Sequence, residues 1–497
     1  MDFNCLIYTV AREYEKEVPY PGPGEEGVNW EKGLCKRVAA AAFNIYMLAG
    51  RPMWFVLCLD GVVPMAKIRQ QRMRRFKSAW LKRLEGAGGA SGAWDTNCIT
   101  PGTAFMRRLS TELEGLRGRC GGRTFVLSDT ESAGEGEHKI MSWIREQGKE
   151  LKGSIMVYGL DADLLLLTML ASMSTAADIV LLREHVELGG AVKVDGEQVY
   201  VTMSIGELKR VIGIQTEETC LRYVALMSLM GNDFLPHSLT HRLTEDGHDL
   251  VLRELDKPIV KRDQDGAWVY NEGVLMDICK RWARDESYRL QKMVERKRAV
   301  AKLPPRTGPD GQPPPEHESW PLQWDVEKLL VDADGDLRQD WADMYWTFLH
   351  PRADDEFKRR VCSDYLDGLQ WILDYYTGQR TVSKEWMFPC WLPPLWSDLV
   401  KGVKGAPSGA GGVRGVSSVG DTPLKPCEQL AMVLPRESYW LVEDARLRRI
   451  PVLQPQWFPV EFDVHSIGKR WMWECEVLVP VVTKGALRAA VAEASLA

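Results

Sequence analysis

No run of apolar residues in this sequence reaches the roughly 18 at which a membrane-spanning helix becomes the default reading, so no membrane partner is expected. Cysteine is present but unpatterned: eleven are scattered through 497 residues, with no C-x-x-C pair and no metal-ligand spacing to histidine. That argues against a disulfide framework and, with no signal peptide ahead of the chain, predicts a reduced, intracellular protein of the cytoplasm or nucleus. An excess of basic residues is missing as well. The formal net charge is -6, whereas nucleic-acid-binding modules are usually basic overall, so any polyanion must be gripped by a local patch. No internal repeat is found.

What is present is globular in kind, with 45% hydrophobic and 27% charged residues. A chain of this length exceeds one ordinary core, and two or three packed units are expected. In the first half short apolar runs alternate with amphipathic stretches. Trp54 to Leu59, Thr124 to Ser128 and Ile155 to Leu160 read as buried strands, and Gln71 to Glu85, His138 to Lys152 and Thr219 to Met230 as helices. That alternation predicts an α/β fold, a parallel sheet with helices on both faces, and a ligand site beyond the carboxyl ends of the strands. Pro19 to Val28, Gly86 to Ala93 and Leu303 to Ser319 read as loops or linkers. Lys401 to Gly420 is glycine-dominated with almost no bulky residue, and is expected to be mobile. The resulting division is a core over 1–255, a helical segment and proline-rich linker over 256–319, and a second region over 320–497. Most of the nineteen tryptophans fall after Trp320, which suggests either a large aromatic core or a surface that stacks bases.

Seven acids stand beside strand ends or glycine turns: Asp2, Asp60, Glu135, Glu137, Asp161, Asp163 and Asp233. Glu135 and Glu137 flank Gly136, and Asp161 and Asp163 flank Ala162, so in extended backbone each pair points to one side. Singly, such acids are ordinary caps or loop residues. If they converge, each pair at about 4 Å repels by roughly 1 to 4 kcal/mol, depending on the local dielectric, and the cluster needs cations. Oxygen-only ligands select Mg²⁺ or Mn²⁺. Two ions about 4 Å apart suit in-line phosphodiester cleavage.

From Lys67 to Arg83 there are eight basic residues and no acidic one. A charge run of this kind can be a solvated helix face or a localisation signal. Here Lys67, Gln71, Arg74 and Arg75 sit at i, i+4, i+7 and i+8, on one helical face just after Asp60, which suits a terminal phosphate.

Several stretches resemble the Xrn family of 5′→3′ exoribonucleases. Asp60 to Phe76, D-G-V-V-P-M-A-K-I-R-Q-Q-R-M-R-R-F, looks like the family's D-G-x-x-P-x-A-K-x-x-Q-Q-R-x-R-R-F block. Asp95 to Met106 is similar to its D-x-N-x-I-T-P-G-T-x-F-M, and Gly134 to Met141 to its G-E-G-E-H-K-I-M. Tyr158 to Leu164 and Gly231 to His237 complete the set. In the second half Tyr365 to Tyr376 resembles Y-x-x-G-L-x-W-x-L-x-Y-Y, and Pro426 to Pro435 resembles P-x-E-Q-L…L-P. The likeness runs from Asp2 to about Val482.

The resemblance implies a flap-endonuclease or PIN-like nuclease core closed by a mixed helical second region. By it the seven acids hold two Mg²⁺ or Mn²⁺ ions, and the chain hydrolyses 5′-monophosphorylated single-stranded RNA processively to nucleoside 5′-monophosphates, as a monomer. Lys67, Gln71, Arg74 and Arg75 would hold the 5′-phosphate. Bases would stack between Tyr8, where cellular members usually carry histidine, and Trp386, with Trp371 as the second choice. The alternatives are a catalytically impaired RNA-binding or scaffold protein and a flap-type DNA nuclease; against the latter, that family reads G-E-A-E-A where this chain reads G-E-G-E-H. The chain is short beside cellular members, which points to a compact viral or protist form. In the family about thirty residues precede the first acid. With Asp2 so near the start and only Phe3 to Val10 to supply part of a strand, poor ordering of Asp2 is expected, and with it either a gene model short at its N-terminus or a weak enzyme with an impaired metal site.

Overall fold

The computed structural model describes residues 1–84, 92–187, 190–195, 197–304, 314–404 and 422–496. Most of the stretches Gly86 to Ala93, Leu303 to Ser319 and Lys401 to Gly420 lies outside the described residues.

The first half runs α1 (Asn4–Glu17), α2 (Glu25–Leu48), β1 (Trp54–Cys58), α3 (Met65–Leu84), α4 (Ala104–Glu114), β2 (Thr124–Ser128), α5 (Gly136–Gln147), β3 (Ser154–Tyr158), α6 (Asp163–Ala171), β4 (Asp178–Glu184), β5 (Tyr200–Ser204), α7 (Ile205–Ile212) and α8 (Glu217–Ser228). The three strands expected from sequence form within two residues of their predicted ends. Helix α3 begins six residues before its predicted start, where the Pro64 carbonyl accepts from the N–H groups of Lys67 and Ile68.

One continuous parallel sheet does not form. β1 and β2 pair in parallel from Trp54 opposite Thr124 to Cys58 opposite Ser128. β3 and β4 pair in parallel in a separate sheet, to which β5 adds an antiparallel edge. Among the described residues, Met1 and Asp2 bridge the two sheets. The Met1 ammonium donates to the Val56 carbonyl at 2.7 Å, the Cys58 N–H to the Met1 carbonyl at 3.1 Å, and the Asp2 N–H to the Tyr158 carbonyl at 2.8 Å. A ladder needs several successive extended residues. Here the chain turns at once into α1, because Leu6, Ile7, Val10 and Ala11 bury one helical face. The partial strand expected over Phe3 to Val10 is therefore helix. Asp2 is nonetheless 6% exposed and tied on both sides, so the expectation of a poorly ordered acid fails.

The second half is mainly helical. Its longest helix, α9 (Asp355–Thr377), starts where the Asp354 side chain accepts the Phe357 N–H and stops at Gly378, whose φ of 65° ends the helix in the left-handed region. A shorter helix, α10 (Pro426–Val433), packs on α3. Two hydrophobic cores each draw on both halves of the chain. One joins Val157, Leu164, Leu167 and Val224 to Leu369, Trp371 and Tyr376. The other joins Phe3, Leu34, Leu57 and Phe105 to Leu430, Leu434, Tyr439 and Phe458. Trp346, Trp371 and Trp396 of the second region are core, whereas Trp440 and Trp473 are exposed. Among the described residues no helix is long and apolar enough to cross a membrane.

Candidate active site and metal centre

All seven predicted acids gather at one end of the two sheets. Asp60 follows β1, Asp161 follows β3, and Asp163 opens α6; Glu135 and Glu137 open α5, and Asp233 follows α8. Two glycines permit the crowding. A Cβ on Gly136 would lie 2.9 Å from both Asp2 Oδ1 and the Cys58 carbonyl oxygen, and one on Gly159 would lie 3.2 Å from Asp2 Cβ. The Gly136 N–H itself donates to Asp60 Oδ1 at 2.7 Å. The extended-backbone rationale for the two acid pairs fails in part. Glu135 is extended, with ψ of 148°, but Glu137 already lies in the first turn of α5, and Ala162 is helical at φ -67°, ψ -32°. The pairs converge because each straddles a helix start.

Burial and mutual repulsion raise the carboxyl pKa values. Burial, with Asp60 and Asp161 adding to it, pushes Asp2 up to about 8. Burial and the nearby Asp233 push Asp163 up to about 6, and burial with Glu135 drives Glu137 well above the usual range. Asp60 is also raised, by burial first, against the Gly136 hydrogen bond. Asp233 goes the other way: burial would raise it, but Lys67 and Arg74 outweigh burial and hold it below the usual range.

Lys67 is the cation inside this cluster. Its ammonium lies 2.6 Å from Glu135 and 2.7 Å from Asp233. Of the other phosphate-face candidates, Arg74 is two-thirds exposed, with its guanidinium 3.6 Å from Asp233. Gln71 accepts from Arg75 at 3.3 Å, and Arg75 also donates to Asn97 and Thr100. Half-buried Tyr8 lies close enough to Arg75 for the two to shift each other's ionisation. The remaining charges of α3 do different work. Arg72, 2% exposed, donates to the carbonyls of Met432, Pro480 and Trp457; Arg69 donates to the Phe388 carbonyl and Lys77 to that of Cys475. These three dock the second region onto α3.

From that region α9 delivers two hydroxyls to the acids. Tyr375 donates to Glu135 Oε1 at 2.8 Å and Tyr376 to Asp163 Oδ2 at 2.7 Å. Tyr375 also sits in a run of stacked rings: His138 at 3.9 Å and Trp371 at 4.9 Å from it, then Trp386 at 4.9 Å from Trp371. Gly368 leaves room for this, since a Cβ there would meet the Trp386 ring at 2.7 Å. Trp371 is therefore corrected as a stacking candidate: Tyr375 and Trp386 stack against it and it is 1% exposed. Trp386, half-buried, ends the run.

Sequence reasoning passed over four contacts. The Asn4 amide donates to Asp60 Oδ2 at 2.6 Å. Gln70, rather than its neighbour Gln71, donates to Asp233. Tyr375 and Tyr376 are the others; the paired tyrosines closing an apolar helix were the available signal.

The donor set can hold a divalent cation. Glu135, Glu137 and His138 offer ligand atoms within 4.8 Å of one another. Glu137 Oε2 and His138 Nε2 are buried with no hydrogen-bond partner, an arrangement that costs free energy unless a cation or water completes it.

Comparison with known sequences accounts for this constellation. Residues 1–185 match the profile of the XRN 5′-3′ exonuclease N-terminus, and residues 339–496 that of the Xrn1 helical domain. The chain belongs to the Xrn exonuclease family. The first match takes in six of the seven acids, the second takes in α9 with its tyrosines, and Asp233 lies between the two. The Xrn chain is 27% identical to human 5′-3′ exoribonuclease 1 over 86% of its own length and 29% of that protein. It is 25% identical to chicken 5′-3′ exoribonuclease 2, over 99% of its own length and 64% of the relative. With Schizosaccharomyces pombe 5′-3′ exoribonuclease 1 it shares 25% identity over 97% of the chain and 45% of the relative. It thus spans less than two thirds of the length of these relatives.

Proposed function

We propose that this Xrn chain is a metal-dependent 5′→3′ exoribonuclease that hydrolyses 5′-monophosphorylated single-stranded RNA processively to nucleoside 5′-monophosphates. The observation that carries this reading is the gathering of the acids at one end of the sheets, with Lys67 paired to Glu135 and Asp233 at the foot of a helix whose exposed face carries Arg74. Two Mg²⁺ or Mn²⁺ ions held by Asp2, Asp60, Glu135, Glu137, Asp161, Asp163 and Asp233 would supply an activated water and charge stabilisation at the leaving oxygen.

The chain's own residues supply selection and alignment. Arg74 and Arg75 offer forked donors to a terminal phosphate, Lys67 a point charge beside it, and Gln71 an amide donor. A monophosphate fits between them, whereas a capped or triphosphorylated end adds bulk and charge beside seven acids. Tyr8 and Trp386 would hold the first bases by stacking. The protein would act as a monomer in the cytoplasm or nucleus.

Decay of three RNAs identical except for a 5′-hydroxyl, monophosphate or triphosphate, with Mg²⁺ and with EDTA, tests the reading. Rapid decay of the monophosphate alone, abolished by EDTA, is expected. Equal rates on all three would sink the end preference. Binding without decay at any metal concentration would favour the scaffold alternative, and preference for flapped DNA the other nuclease class.

A further inference from the structure

We propose that Tyr375 and Tyr376 are positioning residues of the metal centre, through which docking of the second region sets the affinity of the acids for divalent metal. The inference rests on the metal-dependent reading above and extends it to residues that touch neither substrate nor ion.

Each hydroxyl fixes one oxygen of one acid. Tyr375 takes Glu135 Oε1 while Lys67 takes Oε2, and Tyr376 takes Asp163 Oδ2. Both tyrosines are buried, at 8% and 1% exposure, so water cannot replace the lost donors at little cost. The two carboxylates they hold belong to α5 and α6, yet both donors come from consecutive residues of one helix turn in α9, 240 residues on from Glu135. Tyr375 cannot rotate freely, because the rings of His138 and Trp371 stack against it.

Crowded like-charged carboxylates would otherwise turn apart, and turning them back would subtract from ion binding. A donor already pointed at each acid removes that cost. By linkage, whatever raises metal affinity when α9 is docked must equally strengthen docking when metal binds.

Phenylalanine isolates the hydroxyl, since it keeps the ring and the stack. Mn²⁺ binding to RNA-free parent, Tyr375→Phe and Tyr376→Phe would be measured by the EPR signal of unbound Mn²⁺, and melting followed with and without Mn²⁺. Each variant is expected to bind Mn²⁺ on the order of tenfold more weakly, the scale of a hydrogen bond to a charged group, and to show a smaller Mn²⁺-induced rise in Tm. Tyr376→Phe added to Asp163→Asn should produce no further loss of affinity. Parent-like Mn²⁺ affinity in both variants, even with a lowered metal-free Tm, would reduce the hydroxyls to packing contacts and overturn the inference while the metal reading stands. A parent that binds no Mn²⁺ would overturn both.

Discussion

Lys67 and Glu135 form an ion pair of 2.6 Å in which the side chains are only 11% and 3% exposed. The same ammonium lies 2.7 Å from Asp233, and Glu135 and Glu137 help hold its pKa well above the usual lysine value against the burial that would lower it. Breaking a buried pair by removing one partner costs about 3–5 kcal/mol, because the other charge stays behind. Lys67→Met should therefore melt several degrees below the parent in EDTA. Mn²⁺ should restore much of the difference, since a divalent ion supplies the missing charge. Identical melting in EDTA would show that Lys67 does not hold the cluster together.

Asp161 is the exposed member of the seven, and its charge helps raise the pKa of Asp2. Asp161→Ala should cut RNA hydrolysis on the order of 10³-fold, as several kcal/mol of lost transition-state stabilisation implies. The fold should survive, and the metal-free Tm should not fall, because one repulsion is gone. Parent-like turnover at saturating Mg²⁺ would remove Asp161 from the metal centre.

The raised carboxyls give the metal-free protein a signed pH dependence. A carboxyl with a folded pKa above its unfolded value contributes stability that is complete below the ordinary 3.8 and lost as pH rises through the folded value. For Asp163 and Asp2 those values are about 6 and about 8. Asp233, lowered, acts in the opposite sense and loses its contribution as pH falls below the ordinary value. Buried His138, His237, His241 and His465, all lowered, also add stability as pH rises toward the ordinary histidine value, so the cluster is read against Asp2→Asn, in which those histidines are unchanged. In EDTA the parent's Tm should fall by several degrees relative to Asp2→Asn between about pH 4 and 8, and saturating Mg²⁺ should flatten that fall. A parent Tm that rises relative to the variant over this range would contradict the electrostatics of the cluster.

Local patterns made the acids, the three strands and the exposed cation of α3 legible. They could not tell the arginines of α3 apart: Arg72 and Arg74 are two residues apart, yet one is buried against three carbonyls of the second region and the other is in solvent. Nor could they show that Gln70, not Gln71, meets Asp233, or that Tyr375 meets Glu135. Those pairings depend on how the halves dock, and docking is set by two cores that share residues across the linker. The sheet was misjudged for a related reason. Alternation of strands and helices predicts neighbours, but continuity between β1 and β3 depends on a bridge that Met1 and Asp2 supply.

Arg74 spends little of its charge inside the protein, lying 3.6 Å from Asp233 with two thirds of its side chain exposed. Arg74→Ala should leave stability within about 0.5 kcal/mol of the parent. The preference for a 5′-monophosphate over a 5′-hydroxyl should drop by about tenfold, the scale of a charge-assisted hydrogen bond. Turnover of an already engaged strand should change less. An unchanged end preference would move phosphate recognition to Arg75 and Gln71.

The two tryptophans of the stacked rings should separate stacking from packing. Trp371 lies between Tyr375 and Trp386, with its indole N–H held by the Ser383 carbonyl at 2.8 Å. Trp371→Ala opens a cavity in the core and should cost about 3–5 kcal/mol of stability, lowering activity in step with the folded fraction. Trp386 has one face on Trp371 and is half-buried, so Trp386→Ala should cost less stability. Its effect should fall on RNA instead: a lost base stack of about 1–3 kcal/mol weakens the grip on the strand between successive cleavages. Single-turnover degradation of a long 5′-monophosphorylated RNA, with excess unlabelled RNA added after binding, reads this directly. Shorter runs before release are expected for Trp386→Ala at a Tm near the parent's. Full-length runs in that variant would place the stacking face elsewhere, with Tyr8 the remaining ring beside Arg75.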